Sequence, residues 1–496
     1  MALTLAIDLG TSNVKVGVVD SNGELLVLRK SPVQTKIRQA GCAEHDPREL
    51  KRLILELCKQ ALLDEYKDQI KYICASSYHF GLMFLDKKLE PISDMSVLTD
   101  IRSQKTFAEF KEFFADYDLY TNTGCPLLGQ YVLPRLFYFY KHEPELLKQA
   151  AYIAGSKEFL FHWLTGEFLT EHSIASATQL FNCHQFDWDQ EVLSRLNLKK
   201  EQFPKVADGT KILRPLVENL RLELGLNQDV QVALGLFDGG ALAVGLSGIA
   251  SNIGILNVGT TAMLRVPSPK PAFDLSENKR IQAYALRENL FVNGGALNNA
   301  ALPLDWLRQK LFDVDLHDPD LLKISKEPPL FSLPYLTGER DTKVGPYASG
   351  VFFGIRREHT RMDFARSLLQ GVAYSMRFIY EALEDNQISL SELRMGGGGT
   401  SWKAWPQMFA DTLGIPILIP RVNEVALIGS AMIALTAGGY YPDLTTASRA
   451  MVKSGLRVEP NLERVKIHKD HYEFFKKLRS SMGDLYKEHS SLNSSN

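Results

Sequence analysis

Residues Leu3–Leu26 read LTLAIDLGTSNVKVGVVDSNGELL. LTLAIDLG is a short apolar strand that runs into an acid and a glycine. NVKVGVVD alternates enough to be the next strand. The Asn-Gly of SNGE suits the positive φ angles of a type I′ turn, which predicts a hairpin continuing into a further strand. On this reading Asp8 to Asn13 form the loop between two hairpin strands. Gly10 allows a ligand to approach the backbone. Thr11 and Ser12 add hydroxyl and N–H donors of the kind phosphate oxygens require. Asp8 is a poor neighbour for phosphate itself but a good one for a hydrated Mg²⁺, which keeps its waters and bridges to phosphate. A glycine turn with a capping acid is the alternative reading of this phrase alone.

The phrase returns at Ile253–Val266 as IGILNVGTTAMLRV. Asn257, Gly259, Thr260 and Thr261 stand where Asp8, Gly10, Thr11 and Ser12 stood, about half the chain later. Two similar domains that each aim a phosphate-gripping hairpin at a shared cleft account for both copies. The chain contains no Gly-Lys dipeptide, which excludes a Walker-type loop. Its 496 residues are enough for two large domains, and its 45% hydrophobic and 23% charged content is ordinary for a soluble globular protein. A formal net charge of −2 offers nothing to attract nucleic acid or an anionic membrane. Five scattered cysteines without a C-x-x-C predict reduced thiols and a cytoplasmic protein. The N-terminus does not read as a signal peptide. The most apolar window, VALGLFDGGALAVGLSGIASNIGILNVG, is interrupted by Asp238 and glycines and reads as strand, loop, helix and strand. The polar end EHSSLNSSN is expected to fray.

Paired D-x-G-T-[ST] hairpins resemble those of the actin, heat-shock ATPase and sugar kinase superfamily. Within it the chain is similar to the FGGY carbohydrate kinases over nearly its whole length. AEHDPREL (Ala43–Leu50), LTGEFLTEHSIASATQLFNCHQFDWDQEVL (Leu164–Leu193), LPYLTGERDTKVGPYASGVFFGI (Leu333–Ile355) and MGGGGTSWKAWPQMFADTLGIPI (Met395–Ile417) follow that family's motifs in order. The resemblance implies an α/β fold of two actin-like, ribonuclease H-like domains flanking an ATP cleft. Residues 1–245 are expected to carry the first hairpin, the sugar site and the catalytic acid. Residues 246–496 are expected to carry the second hairpin and the adenosine site.

The residues have chemical reasons for these roles. Asp238, in GLFDGGALAVG, follows a strand and precedes a segment able to start a helix. It reads either as a helix N-cap or as the base that accepts the proton of a sugar hydroxyl. The resemblance favours the base, and implies that Asp8 and Asp238 face the metal. Gly396, Gly397, Gly398 and Gly399 clear side chains from a surface on which adenosine can lie, with Thr400 as the expected N-cap of the next helix. EVALIGSAMIAL (Glu424–Leu435) reads as a packing helix. Lys15 is expected to point outward.

Sugar-side motifs are looser. Tyr78, His79 and Phe80 stand where xylulokinase-like members carry Gln, Met and His. If this segment is strand, His79 faces away from the family position, so it is either structural or part of a rebuilt pocket. Asp100 and Arg102, in VLTDIRS, match the family's D-x-R and are expected to share a strand face as sugar ligands, although a salt bridge is the plainer reading. Asn298 and Asn299 are polar where a core helix should begin, and are expected to line the cleft. The branch resemblance points to gluconate as acceptor, then xylulose or another ketopentose, then an unusual polyol. ATP and Mg²⁺ are the implied cofactors, a small sugar or sugar acid the implied partner, and a homodimer is compatible with the sequence. A catalytically silent ATP-binding regulator of the same fold is the alternative from another class.

Overall fold

The computed structural model describes residues 2–248, 250, 252–323, 328–421 and 424–492. Its first sheet contains β1 (Leu3–Leu9), β2 (Asn13–Val19), β3 (Leu25–Pro32), β4 (Ile70–Ser77) and β5 (Gln231–Ala233), in the order β5-β4-β1-β2-β3. The hairpin strands pair antiparallel, whereas β1–β4 and β4–β5 are parallel. The second sheet contains β6 (Ile253–Val258), β7 (Ala262–Ser268), β8 (Gln282–Arg287), β9 (Leu290–Leu297), β10 (Glu392–Gly396), β11 (Ile417–Arg421) and β12 (Lys453–Val458). Its order is β8-β9-β7-β6-β10-β11-β12. The inner five strands, β9-β7-β6-β10-β11, repeat the order and the strand directions of the first sheet, with β8 and β12 added at the edges. The repeated phrase is therefore the visible part of a repeated topology.

β1 is buried along almost its whole length because both faces of its sheet are covered, which explains why its sequence is a nearly continuous apolar run. Helix α1 (Pro47–Ala61) packs against β2 and β3. Helix α2 (Val425–Ala437) comes from the far end of the chain and packs against β1 and β4. It also crosses the helix Asp238–Gly245 at very short range. A Cβ on Gly429 would lie 1.8 Å from the Ala241 carbonyl oxygen, and one on Gly245 would lie 2.1 Å from that of Val425. The small residues of EVALIGSAMIAL thus let two backbones touch.

Several local expectations change. The Asp20–Glu24 turn is not type I′. Gly23 takes the positive φ (+82°), and its N–H donates to the Asp20 carbonyl. The Asp20 carboxylate accepts from the N–H groups of Asn22 and Glu24, and the pairing shifts by one residue at Val18/Val19, as in a type I turn with a glycine bulge. Asp8 and Asn13 belong to strands, so the first phosphate loop is shorter than expected, 10–12. Thr400 is not a helix N-cap. Gly398–Ser401 is one 3₁₀ turn, and the next α-helix begins at Ala404 with Lys403 as its N-cap. The C-terminal helix runs through Leu492, covering most of the segment expected to fray, and the end of that segment lies outside the described residues. All five cysteines are buried and unpaired. Among the described residues no helix is long and apolar enough to cross a membrane.

Candidate active site

A cleft of about 500 Å³ lies between the halves. Asp8, Gly10 and Lys15 line it from the first hairpin, Asn257 and Met263 from the second, Gly396, Gly397, Gly398 and Thr400 from the glycine run, and Asp238 from its own helix. Strand register explains the first group. Asp8 pairs opposite Lys15 on β2 and opposite Ser76 on β4, so the three side chains share one face. The Ser76 hydroxyl donates to Asp8 at 2.8 Å. Lys15 therefore points into the cleft, not outward as expected, and meets Glu424 at 2.6 Å.

Burial, helped by the nearby charge of Asp238, pushes the Asp8 carboxyl up to about 6. Two carboxylates facing one cleft wall suit a divalent cation. The hairpin tips have the expected donors. Ser12, Thr260 and Thr261 are exposed, and a Cβ on Gly259 would meet only the Thr261 carbonyl oxygen, at 3.9 Å. The Gly10 and Gly259 amides close their own loops, to Asn13 at 3.0 Å and Thr261 at 2.8 Å. Within the glycine run, Gly397 has φ +88°, and a Cβ there would lie 2.4 Å from the Val258 carbonyl oxygen. This glycine brings the run flush against the second hairpin. Gly399 is instead packed between Val258 and Trp405.

Asp238 is the first residue of its helix, behind Phe237 as N-cap, and its carboxylate makes no capping bond of the usual kind. It accepts from the adjacent Gly239 N–H and lies 3.4 Å from His79 Nδ1. The segment before it is fastened from below. The fully buried Lys157 ammonium donates to the Ala75 carbonyl at 3.1 Å and the Leu236 carbonyl at 2.8 Å. The Phe237 N–H donates to Ser173 Oγ at 3.1 Å, and Ser173 is held by the buried Glu171. The EHS motif thus braces the loop that aims Asp238, a role not visible from its spacing.

β4 ends at Ser77, so strand alternation does not govern the triplet that follows. Tyr78 turns into the core, where its hydroxyl meets His45 and Met95. Phe80 takes φ +70°, a costly conformation for a bulky residue. Arg135, fully buried, donates to the Phe80 carbonyl, to the Val97 carbonyl at 3.1 Å and to Ser96 Oγ at 2.7 Å. This leaves His79 facing Asp238 among the rings of Phe80, Phe237 and Tyr284, with burial lowering its basicity.

Asp100 and Arg102 do not share a strand face. Asp100 precedes a 3₁₀ turn that begins at Arg102. Asp100 accepts from Arg102, Ser96 and the Ala43 amide, while Arg102 also donates to Glu44 at 2.6 Å. Both are almost fully buried in this network, and the salt-bridge reading describes what the geometry shows. Asn299 is likewise buried, bonded to the Gly338 carbonyl and Thr337. Asn298 accepts from Arg340 Nε at 2.7 Å. Residues missed from sequence are Lys15, Arg265 and Tyr284. Arg265 is 2% exposed on β7, with its guanidinium 5.0 Å from the Tyr284 ring centre.

A duplicated actin-like fold with paired hairpins, two cleft carboxylates and a glycine platform defines a phosphotransferase of the two-domain sugar kinase class. Comparison with known proteins agrees. The profile of the FGGY family of carbohydrate kinases, N-terminal domain, matches residues 3–245, and that of its C-terminal domain matches residues 254–438. The chain belongs to this family. It is 24% identical to a gluconokinase of Bacillus subtilis over 88% of this chain and 87% of that one. It is 26% identical to a xylulose kinase of Staphylococcus epidermidis, covering 95% of each. The crystal structure of gluconate kinase from Lactobacillus acidophilus superposes with a TM-score of 0.92 at 25% identity, covering 98% of this chain and 100% of that chain.

Proposed function

We propose that this chain transfers the γ-phosphoryl group of ATP to a hydroxyl of a sugar acid, with gluconate the first acceptor and xylulose or another ketose or polyol the second. The observation that carries the kinase chemistry is the Asp238 carboxylate, which is not the N-cap of its helix and is set at the cleft beside Asp8. Asp238 accepts the proton of the acceptor hydroxyl as that oxygen bonds to the γ-phosphorus, and the bond to the β,γ-bridging oxygen breaks to release ADP. Lys15, 10–12 and 259–261 hold the phosphates. Gly396–Gly398, Ile419 and Pro420 receive adenosine. Asp8, with Asp238, is the residue set that fits Mg²⁺, which when bound neutralises phosphate charge. His79 orients the base. Asp100 and Arg102 support the acceptor-side loops through Glu44 instead of touching sugar. Residues 1–245 and 246–496 remain the natural division of labour, with α2 crossing from the second to the first.

The silent-regulator reading separates from this one by turnover. Acceptor-dependent ADP release across a panel of sugars and sugar acids supports the kinase. Nucleotide binding without ADP release for any acceptor overturns it.

A further inference from the structure

We infer that Arg265 is the residue that anchors the acceptor's carboxylate, with Arg340 beside it, so that this side chain selects sugar acids over neutral sugars. The inference rests on the kinase reading of the site. Leu264 and Val266 point into the core of the second domain, so strand alternation puts Arg265 on the opposite face, the face on which Met263 lines the cleft. Its antiparallel partner on β9 is Gly294, so the position directly across from Arg265 on that strand carries no side chain.

The charge balance is unusual. Three other buried arginines are neutralised: Arg102 by Asp100 and Glu44, Arg280 by Asp274, and Arg479 by Asp341. Among the described residues Arg135 has no carboxylate in ion-pair range, but carbonyl and hydroxyl oxygens take up its donors. Arg265 has neither arrangement. Among the described residues no carboxylate lies within ion-pair distance of it. Its terminal nitrogens share the Gln282 carboxamide oxygen, once that amide is turned to satisfy both of its ends, and its buried Nε has no partner. Arg340 also lacks an ion pair among the described residues and uses Nε on Asn298. Burial, and the like charge of Arg340, lower the basicity of Arg265. An unneutralised buried cation with an orphan donor is costly and is relieved by a bound anion. A guanidinium edge takes a carboxylate through paired N–H bonds.

The position suits an acceptor. Tyr284 lies against Arg265 on one side, and its ring centre is 5.9 Å from that of His79, which in turn contacts Asp238. An extended sugar acid would place its carboxylate at Arg265 and a hydroxyl at Asp238. The buried Glu339 Oε2, without a hydrogen-bond partner, is a further polar atom on this side. The other source of a negative charge is the γ-phosphate itself, and the experiment separates the two.

The test uses the full chain with ATP and Mg²⁺ saturating, and compares gluconate, xylulose and glucitol by ADP release. Gluconate binding without nucleotide is followed by calorimetry. Arg265→Met keeps the packing on Tyr284. It is expected to lower kcat/KM for gluconate on the order of 10²-fold, mostly through KM, as loss of a buried charge partner does. Gluconate binding should weaken in step, with the KM for ATP and turnover of glucitol unchanged. Should that variant not fold, Arg340→Gln on the half-buried loop decides, with a smaller loss confined to the acid. Equal losses for acid and neutral acceptors, or a raised KM for ATP, would assign Arg265 to the γ-phosphate and overturn the inference. Wild-type turnover of xylulose but of no acid overturns it while leaving the kinase intact. Absence of ADP release with every acceptor refutes the kinase reading instead.

Discussion

Replacing Asp238 with Asn isolates proton acceptance from every other role of that residue. The side chain keeps its size and its place at the start of the helix. It removes one negative charge from the first helical turn, which costs about 0.3–1 kcal/mol of dipole interaction. It also removes a carboxylate that raises the ionisation cost of Asp8. These effects oppose each other, so the melting temperature should move little. The Lys157 and Ser173 braces act on Leu236 and Phe237 and are untouched. A carboxamide cannot accept the acceptor's proton, and a positioned general base is worth roughly 10²–10⁴ in rate. At about 1.36 kcal/mol per tenfold, that is roughly 2.7–5.4 kcal/mol of barrier. The assay is acceptor-dependent ADP release at saturating substrates, with nucleotide affinity measured separately by calorimetry. Normal nucleotide binding, a normal melting profile and a kcat down by that factor are expected. A near-normal kcat would place the proton on another group and refute the mechanism.

Other expectations follow from the same geometry. Asp8 is raised from 3.8 to about 6, so in the nucleotide-free protein its contribution to stability is complete below about 4 and is lost as pH rises through 6. Thermal melts from pH 4 to 7 should show that decline, and Asp8→Asn should flatten it. Binding of Mg²⁺ and ATP needs the ionised form and should weaken as pH falls through about 6, which calorimetry at stepped pH will register. A Cβ on Gly259 would make only an ordinary contact, 3.9 Å to the Thr261 carbonyl oxygen, so Gly259→Val should leave the melting temperature nearly unchanged while lowering ATP affinity; unchanged affinity would remove the second hairpin from the phosphate site. Arg102→Ala leaves Asp100 and Glu44 without their counter-charge in a buried network. A loss of about 3–5 kcal/mol in denaturant unfolding is expected. A raised acceptor KM with unchanged stability would return Arg102 to the sugar.

The duplicated architecture was legible because each hairpin joins an apolar strand to a glycine and hydroxyl loop, a pattern that needs no tertiary information. The place of Asp238 at the cleft was legible because it stands where a strand gives way to small residues, while the choice of base over cap came from the family resemblance. Lys15 was misjudged because its direction depends on where the loop closes. With Asp8 on the strand and the Gly10 amide bonded to Asn13, Lys15 falls opposite Asp8. His79 was ambiguous because parity holds only while a strand lasts, and β4 stops two residues earlier. Asp100 and Arg102 depend on Glu44, which is distant in sequence and announces nothing about its partner. Arg265 lies inside a strand whose neighbours are apolar. What sets it apart is a property of three dimensions: among the described residues it has neither a carboxylate in ion-pair range nor a partner for its buried Nε.

The crossing of Val425–Ala437 over the first sheet bears on how the chain is made. During translation the N-terminal half emerges with Ala6, Cys74 and their neighbours bare, because the helix that covers them belongs to residues made much later. An apolar sheet face left open in this way is prone to aggregate. A fragment cut at the boundary between the two halves would carry the same bare face permanently, however well its own strands pair. Chaperone dependence during synthesis, and poor yields of the isolated first half, are the expected consequences of seating the Asp238 helix on a segment made later.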